Sequence, residues 1–171
     1  MSKKSKMFII ISLFIIFGVT ASAIADWKDN AKVTRISCGK DHTLILTQNK
    51  FPWCSGYNGY YQLGIGDTQD SQFTPVRVHK PVGSEYLDNE TDVSAGSVFS
   101  LILDVNSSIW SFGDNVLGEL GNNGYLSYQA TPVLVHGINN SGYLKNITAI
   151  SAARDGRHSL ALDANSELNS G

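Results

Sequence analysis

Histidines, hydroxyls and tyrosines hold the chemistry available to this chain. His42 is preceded by Asp41 and followed by Thr43, and His158 is followed by Ser159 with Asp155 nearby. Such groups invite comparison with a nucleophile, a base and an orienting acid. Adjacent residues of a strand point to opposite faces, however, so His158 and Ser159 are badly placed to act on each other. His79 and His136 each follow a Val-x-Val run, 57 residues apart. That spacing puts them on separate repeated units rather than around one metal. No glycine-rich loop ends in Lys-Ser or Lys-Thr, so no phosphate cradle is expected. The expectation is therefore of no enzyme, no cofactor and no metal. The tyrosines offer different chemistry. Tyr57, Tyr60 and Tyr61 share one short segment, and Tyr125 and Tyr128 occupy the equivalent region further on. Tyrosine suits adhesion to a protein surface, and it also stacks on sugars.

What positions these groups is an internal repeat. Displaced by 57 residues, the chain falls on itself without a gap, with 18 identities over the 47 positions from Val33 to His79. Leu44-Ile45-Leu46 meets Leu101-Ile102-Leu103, Trp53 meets Trp110, and Thr74-Pro75-Val76 meets Thr131-Pro132-Val133. A third copy opens at Ile147 and continues through His158–Asp163, with two extra residues around Arg154–Arg157. Period-two alternation at His42, Leu44 and Leu46, at Phe99, Leu101 and Leu103, and at His158, Leu160 and Leu162 predicts strands. Further runs at Val33–Ser37, Asp92–Ala95, Phe51–Ser55 and Ile109–Phe112, then Thr-Pro-Val, give three or four strands per unit. Pro75 and Pro132 are expected at strand starts. No helical period is present. The units are set at residues 33–79, 90–136 and, incompletely, 147–171.

Each unit carries a signature: Gly39 then His42, and Gly56, Asn58, Leu63 and Gly64 in copy one. Copy two has Gly96, Gly113, Asn115, Leu120 and Gly121, and His158 stands at the histidine position of copy three. This pattern resembles the repeats of the regulator of chromosome condensation (RCC1) family across residues 33–163. Tyr61 in place of a glycine, Glu119 in place of a glutamine and Phe99 in place of the histidine depart from it. The resemblance implies an all-β fold, a partial β-propeller with one four-stranded sheet per blade, and it implies that the signature residues are structural. Two units and a broken third cannot close a ring that usually has seven blades, so further blades are expected in cis or in trans, most simply because the chain is part of a longer protein. The family includes a nuclear exchange factor for a small GTPase, a role at odds with the N-terminal segment of this chain.

In that segment Lys3, Lys4 and Lys6, the apolar run Met7–Val19 and the small residues ending at Ala23 or Ala25 have the layout of a secretory signal peptide over residues 1–25. The apolar run is short of the roughly 20 residues of a membrane span. The alternative is an anchor over residues 7–25, which would be the only contact with a membrane. Either way the remainder is expected outside the cytosol: secreted, periplasmic or on the cell surface. Beyond that segment 10 basic residues face 15 acidic ones, so neither nucleic acid nor an anionic surface is an expected partner. Cys38 and Cys54 fall two strands apart, about 9–10 Å, beyond the roughly 7 Å limit of a disulfide. Both are expected as buried thiols. The favoured function is an exported protein–protein interaction scaffold that uses the loop tyrosines to bind another protein. The alternative is a cell-envelope or carbohydrate-binding protein using the same rings.

Overall fold

A computed structural model describes residues 32–66, 69–82, 85–124 and 126–165. The stretch read as an export signal or anchor, together with Tyr125, lies outside the described residues. Strands form where the alternation runs. β1 (Val33–Cys38), β2 (His42–Thr47), β3 (Pro52–Gly56) and β4 (Gln72–Arg77) make one antiparallel sheet in sequence order. β5 (Glu90–Ala95), β6 (Phe99–Asp104), β7 (Ile109–Asp114) and β8 (Tyr128–Leu134) repeat it. β9 (Ile147–Ala152) and β10 (Ser159–Asp163) begin a third sheet. Short 3-10 geometry at Ile138–Asn140 is the one helical turn among the described residues. This is a meander of propeller blades.

The sheets stack face to face through two cores. The first contains Leu44, Leu46, Leu63, Val93, Ala95, Ile102 and Phe112, drawn from both full sheets. The second contains Phe99, Leu101, Leu103, Ile109, Leu120 and Ile147, joining the second sheet to the third. Strand β6 feeds both: Ile102 points back and Phe99, Leu101 and Leu103 point forward, which is the period of two at work. Leu63 and Leu120 come from the loops after β3 and β7 and are buried in these cores. Leu160 of β10 shows what the neighbour supplies. It is 68% exposed, whereas Leu101 at the same place in β6 is 2% exposed.

Two sequence expectations are corrected. Pro75 and Pro132 are not at strand starts but inside β4 and β8. Both strands lie at the outer edge of their sheets, and the register slips between Cys54 and Gly56, and between Ser111 and Gly113. An edge strand at an irregularity tolerates a missing N–H. The second correction is Cys38, which is exposed, while Cys54 is buried; both are free. Cys38 ends β1, and no described residue covers that face. Cys54 lies under the loop that follows its own strand, with its Sγ 3.0 Å from the Leu63 carbonyl.

Candidate functional site

The loop after β3 is built by its own side chains. Asn58 is fully buried, and its Oδ1 accepts from Leu63 N at 3.0 Å. Gln62 is equally buried, and its Oε1 accepts from Tyr60 N at 2.9 Å. Repeat 2 reproduces this: Asn115 Oδ1 accepts from Leu120 N at 3.1 Å, and Glu119 Oε2 from Leu117 N at 2.8 Å. Ser111 donates to the Leu120 carbonyl at 2.8 Å, as Cys54 does to that of Leu63. Gly56 and Gly113 start the loops at φ 109° and 107°, where a Cβ would collide with the carbonyls of Asp41 and Val98. Gly64 lies against the Phe112 ring, and Gly39 and Gly96 against the rings at positions 42 and 99.

On this rigid base the loop of repeat 1 presents its tyrosines. Tyr57, Tyr60 and Tyr128 are each nearly half exposed, and Tyr61 is half-buried. The Tyr57 and Tyr60 rings meet edge to face, 6.2 Å between centroids. Tyr61 stacks on Tyr128 of the next sheet at 4.4 Å. Gly66 N donates to the Ala130 carbonyl at 3.1 Å and ties the same loop to β8. The structure thus brings four of the five tyrosines into one loop and the strand beside it; the fifth, Tyr125, is outside the described residues. Tyr61 has φ 61°. Left-handed backbone costs an L-residue about 1–2 kcal/mol, and repeat 2 avoids that cost with Gly118 at the same place, φ 84°.

Beneath the loops the histidine position is part of the scaffold. His42 is buried, and its Nε2 lies 2.9 Å from Ser100 Oγ, which donates in turn to the Gln62 carbonyl at 2.8 Å. That donation uses the serine's proton, so Nε2–H must donate to Oγ. A serine held in this way is no nucleophile. Burial pushes the His42 pKa down to about 4, opposed in part by the Asp41 charge. His158, at the same place in the third sheet, is exposed, and Ser159 donates to the Glu119 carbonyl at 3.2 Å. His79 and His136 sit on separate corners, each edge-on to a tyrosine, Tyr86 and Tyr143. Among the described residues no cluster of three or more His, Cys, Asp or Glu is placed to hold a metal.

Glu119 and the residues inserted near Arg157 are separate signals in the sequence, and the structure joins them. Arg157 Nη1 lies 3.1 Å from Asp114 Oδ2 and 3.4 Å from Glu119 Oε1. Asn122, Asn123 and Asn140 raise no expectation from the sequence, yet they gather at one end of repeat 2. Their signal lies in a difference between the repeats, since Ile65 stands where Asn122 does.

A family model described as the regulator of chromosome condensation (RCC1) repeat matches residues 53–103, running from β3 of one sheet into β6 of the next. The chain is 33% identical over 132 residues to the human probable E3 ubiquitin-protein ligase HERC6, covering 76% of this chain and 12% of that protein. It is 34% identical over 90 residues to the Protein RCC2 homolog of Xenopus laevis, covering 51% of this chain and 16% of that one. Among solved structures, human WBSCR16 is similar over 79% of this chain and 31% of its own, with a TM-score of 0.66 and 16% identity. Prp20p from Saccharomyces cerevisiae is similar over 73% and 30%, with a TM-score of 0.59 and 19% identity. That structure is described together with binding to Gsp1p and histones, and a further yeast RCC1 (Prp20) structure has Kap60 bound.

Proposed function

Because this chain belongs to the RCC1 repeat family, we propose that it is a non-catalytic protein-binding module whose contact surface is the tyrosine cluster of Tyr57, Tyr60, Tyr61 and Tyr128. The observation that carries this is Tyr61. A residue held in left-handed backbone where the sister repeat uses glycine is a strained position, and strain of this kind gathers at functional sites. Half-exposed tyrosines on a hydrogen-bonded loop supply contact area with little ordering cost on binding. Proteins bound by the yeast neighbour are consistent with a protein partner for this chain. Their identities are not carried over, and neither is ligase activity, since the chain spans 12% of the HERC6 relative.

The test is site-specific photo-crosslinking in extract of the source organism, with benzoylphenylalanine at position 60 or, as control, at Tyr86. Tyr86 is also nearly half exposed, but it is outside the tyrosine cluster, edge-on to His79. A discrete protein adduct from position 60 and none from 86 supports the proposal. Equal labelling from both positions overturns it.

A further inference from the structure

Four Asn-x-Ser/Thr triplets occur in the chain, starting at Asn89, Asn106, Asn139 and Asn146. In an exported protein such a triplet is an acceptor for N-linked oligosaccharide. Two of them recur. Asn89-Glu90-Thr91 and Asn146-Ile147-Thr148 lie 57 residues apart, at the same place in repeats 2 and 3. Repeat 1 has Lys32-Val33-Thr34 there, which keeps the threonine and lacks the asparagine. The fold accounts for the threonine: Thr34, Thr91 and Thr148 each donate from Oγ1 to a carbonyl of the neighbouring strand, those of Leu46, Leu103 and Leu162, at 3.1, 3.1 and 3.2 Å. Left-handed backbone at Asn89, φ 66°, and Asn146, φ 60°, suits asparagine. The third triplet, Asn106-Ser107-Ser108, makes the turn between β6 and β7. That turn is held by Asp104, whose Oδ1 accepts from Asn106 N at 2.7 Å and Ser108 N at 3.0 Å. The fourth, at Asn139, lies in the 3-10 turn and has no counterpart in repeat 1.

Strand register gathers Asn89, Asn106 and Asn146 at one end of the sheets. Glu90 pairs with Asp104, Leu103 pairs with Ile109, and Ile147 N donates to the Ser107 carbonyl at 3.1 Å. The tyrosines belong to the other end, where His42 pairs with Gly56, Phe99 with Gly113 and Asp114 with Tyr128. The length of β6 separates the two ends by about 17 Å. Asn89 and Asn106 flank strands of the middle sheet, which has a sheet stacked on each side, and both are exposed all the same. Their exposure is therefore set by the fold and not by a missing neighbour. Asn146 is exposed as well. The Asn89 amide donates to the carboxylate of Asp88 at 3.3 Å, itself at the surface. We propose that this end of the sheets is N-glycosylated, at Asn89, Asn106 and Asn146. In the transfer, Nδ2 of each asparagine forms a bond to the anomeric carbon of an oligosaccharide carried on a lipid diphosphate. The bond from that carbon to the diphosphate oxygen breaks, the lipid diphosphate leaves with the electron pair, and the amide gives up one proton. Transfer precedes folding, while the threonine hydroxyls are still free of their strand carbonyls. Glycan at this end is bulky and solubilising, and it leaves the tyrosine end bare for a partner. Glycosylation requires the export expected from residues 1–25, and it is independent of the reading of the tyrosine cluster.

The test is expression of the full chain in the source organism, once with its own residues 1–25 and once with an established secretory signal in their place. Peptide-N-glycosidase in heavy-oxygen water turns a glycosylated asparagine into heavy aspartate, read by mass spectrometry of the digested chain against a control without the enzyme. With the natural N-terminus, enzyme-dependent label is expected at two or more of Asn89, Asn106 and Asn146. Thr148→Val should remove the label at Asn146 and Thr148→Ser should retain it. Both are read from denatured protein, so neither depends on the variant folding. Label that appears only with the substituted signal would overturn the proposal through its premise of export. Label at fewer than two of the three positions with either N-terminus, or at Asn139 alone, would overturn it at the acceptors.

Discussion

The junction between the first and second sheets and the junction between the second and third use one backbone plan and two chemistries. In both, a serine of the first strand accepts from a backbone N–H of the next sheet: Ser37 from Ala95 and Ser94 from Ala152, each at 2.9 Å. In both, a serine of the next sheet returns a bond to the loop, from Ser100 to the Gln62 carbonyl and from Ser159 to that of Glu119. The first junction completes itself with neutral groups, His42 and Gln62. It leaves His42 Nδ1 and Gln62 Nε2 buried without a partner. The second exchanges them for Phe99 and Glu119 and brings in Arg157 to meet the charge. Above these joints the loops diverge further. Tyr57, Tyr60 and Tyr61 correspond to Asp114, Leu117 and Gly118. Serine-to-backbone bonds recur at both joints, so the other side chains between and above them are free to take on different work.

Removing Arg157 should break the ionic junction most severely. The Glu119 side chain is fully buried and that of Asp114 nearly so, while Arg157 is half exposed. Burial, then the Glu119 charge, already raises the Asp114 pKa against the pull of Arg157. Arg157→Ala is expected to cost about 1–3 kcal/mol in urea denaturation, a figure reduced for the solvent around the guanidinium. Adding Glu119→Gln, the residue of repeat 1, should return most of it. A double variant no better than the single one would show that Arg157 acts by packing alone.

Glu90 sharpens the comparison from beside the first joint. It occupies the place of Val33 and Ile147, it is buried, and its Oε2 has no hydrogen-bond partner. Burial, then the charges of Asp104 and Asp88, raises its pKa to about 8, with Lys80 opposing. A carboxyl that is harder to ionise folded than unfolded penalises the fold wherever the unfolded chain ionises it. The penalty is absent well below the ordinary glutamate value of 4.5, grows with pH, and is complete above about 8. Glu90→Val is expected to stabilise by about 1–3 kcal/mol at pH 9 and to lose that advantage by pH 4. A stability difference that does not vary with pH would refute the buried-acid account.

The smallest expected effect belongs to His42. Its folded pKa of about 4 lies below the ordinary histidine value of 6.5, so the unfolded chain takes up the proton first and stability falls as pH drops from 6.5 to 4. His42→Phe, which copies Phe99, should cost about 1 kcal/mol at pH 7 through the lost bond to Ser100. That cost should shrink as pH falls to 4, read from thermal melts of both proteins. A cost that grows at acid pH would contradict a neutral, buried imidazole.

Much of the fold was legible because the repeat keeps a constant length: an ungapped 57-residue shift and period-two alternation carry the strands through β8. Burial was less legible wherever a neighbouring sheet decides it, as at Cys38. The proline positions were misjudged because register slips at an edge leave no mark in composition. At the candidate site, the departures at Tyr61 and Glu119 were visible as letters. Their partners Tyr128 and Arg157 are distant in sequence and come from the next sheet, so only folding shows what the departures are for.

The most direct test of the central claim is Tyr61→Gly, measured for both stability and photo-crosslinking from position 60. Relief of left-handed strain, about 1–2 kcal/mol, and loss of the stack on Tyr128, about 0.5–1.5 kcal/mol, oppose each other. The account predicts a melting temperature changed by no more than a few degrees and an adduct reduced at least severalfold. A large drop in melting temperature with the adduct retained would mean that the ring holds the blades together and that the partner is bound elsewhere.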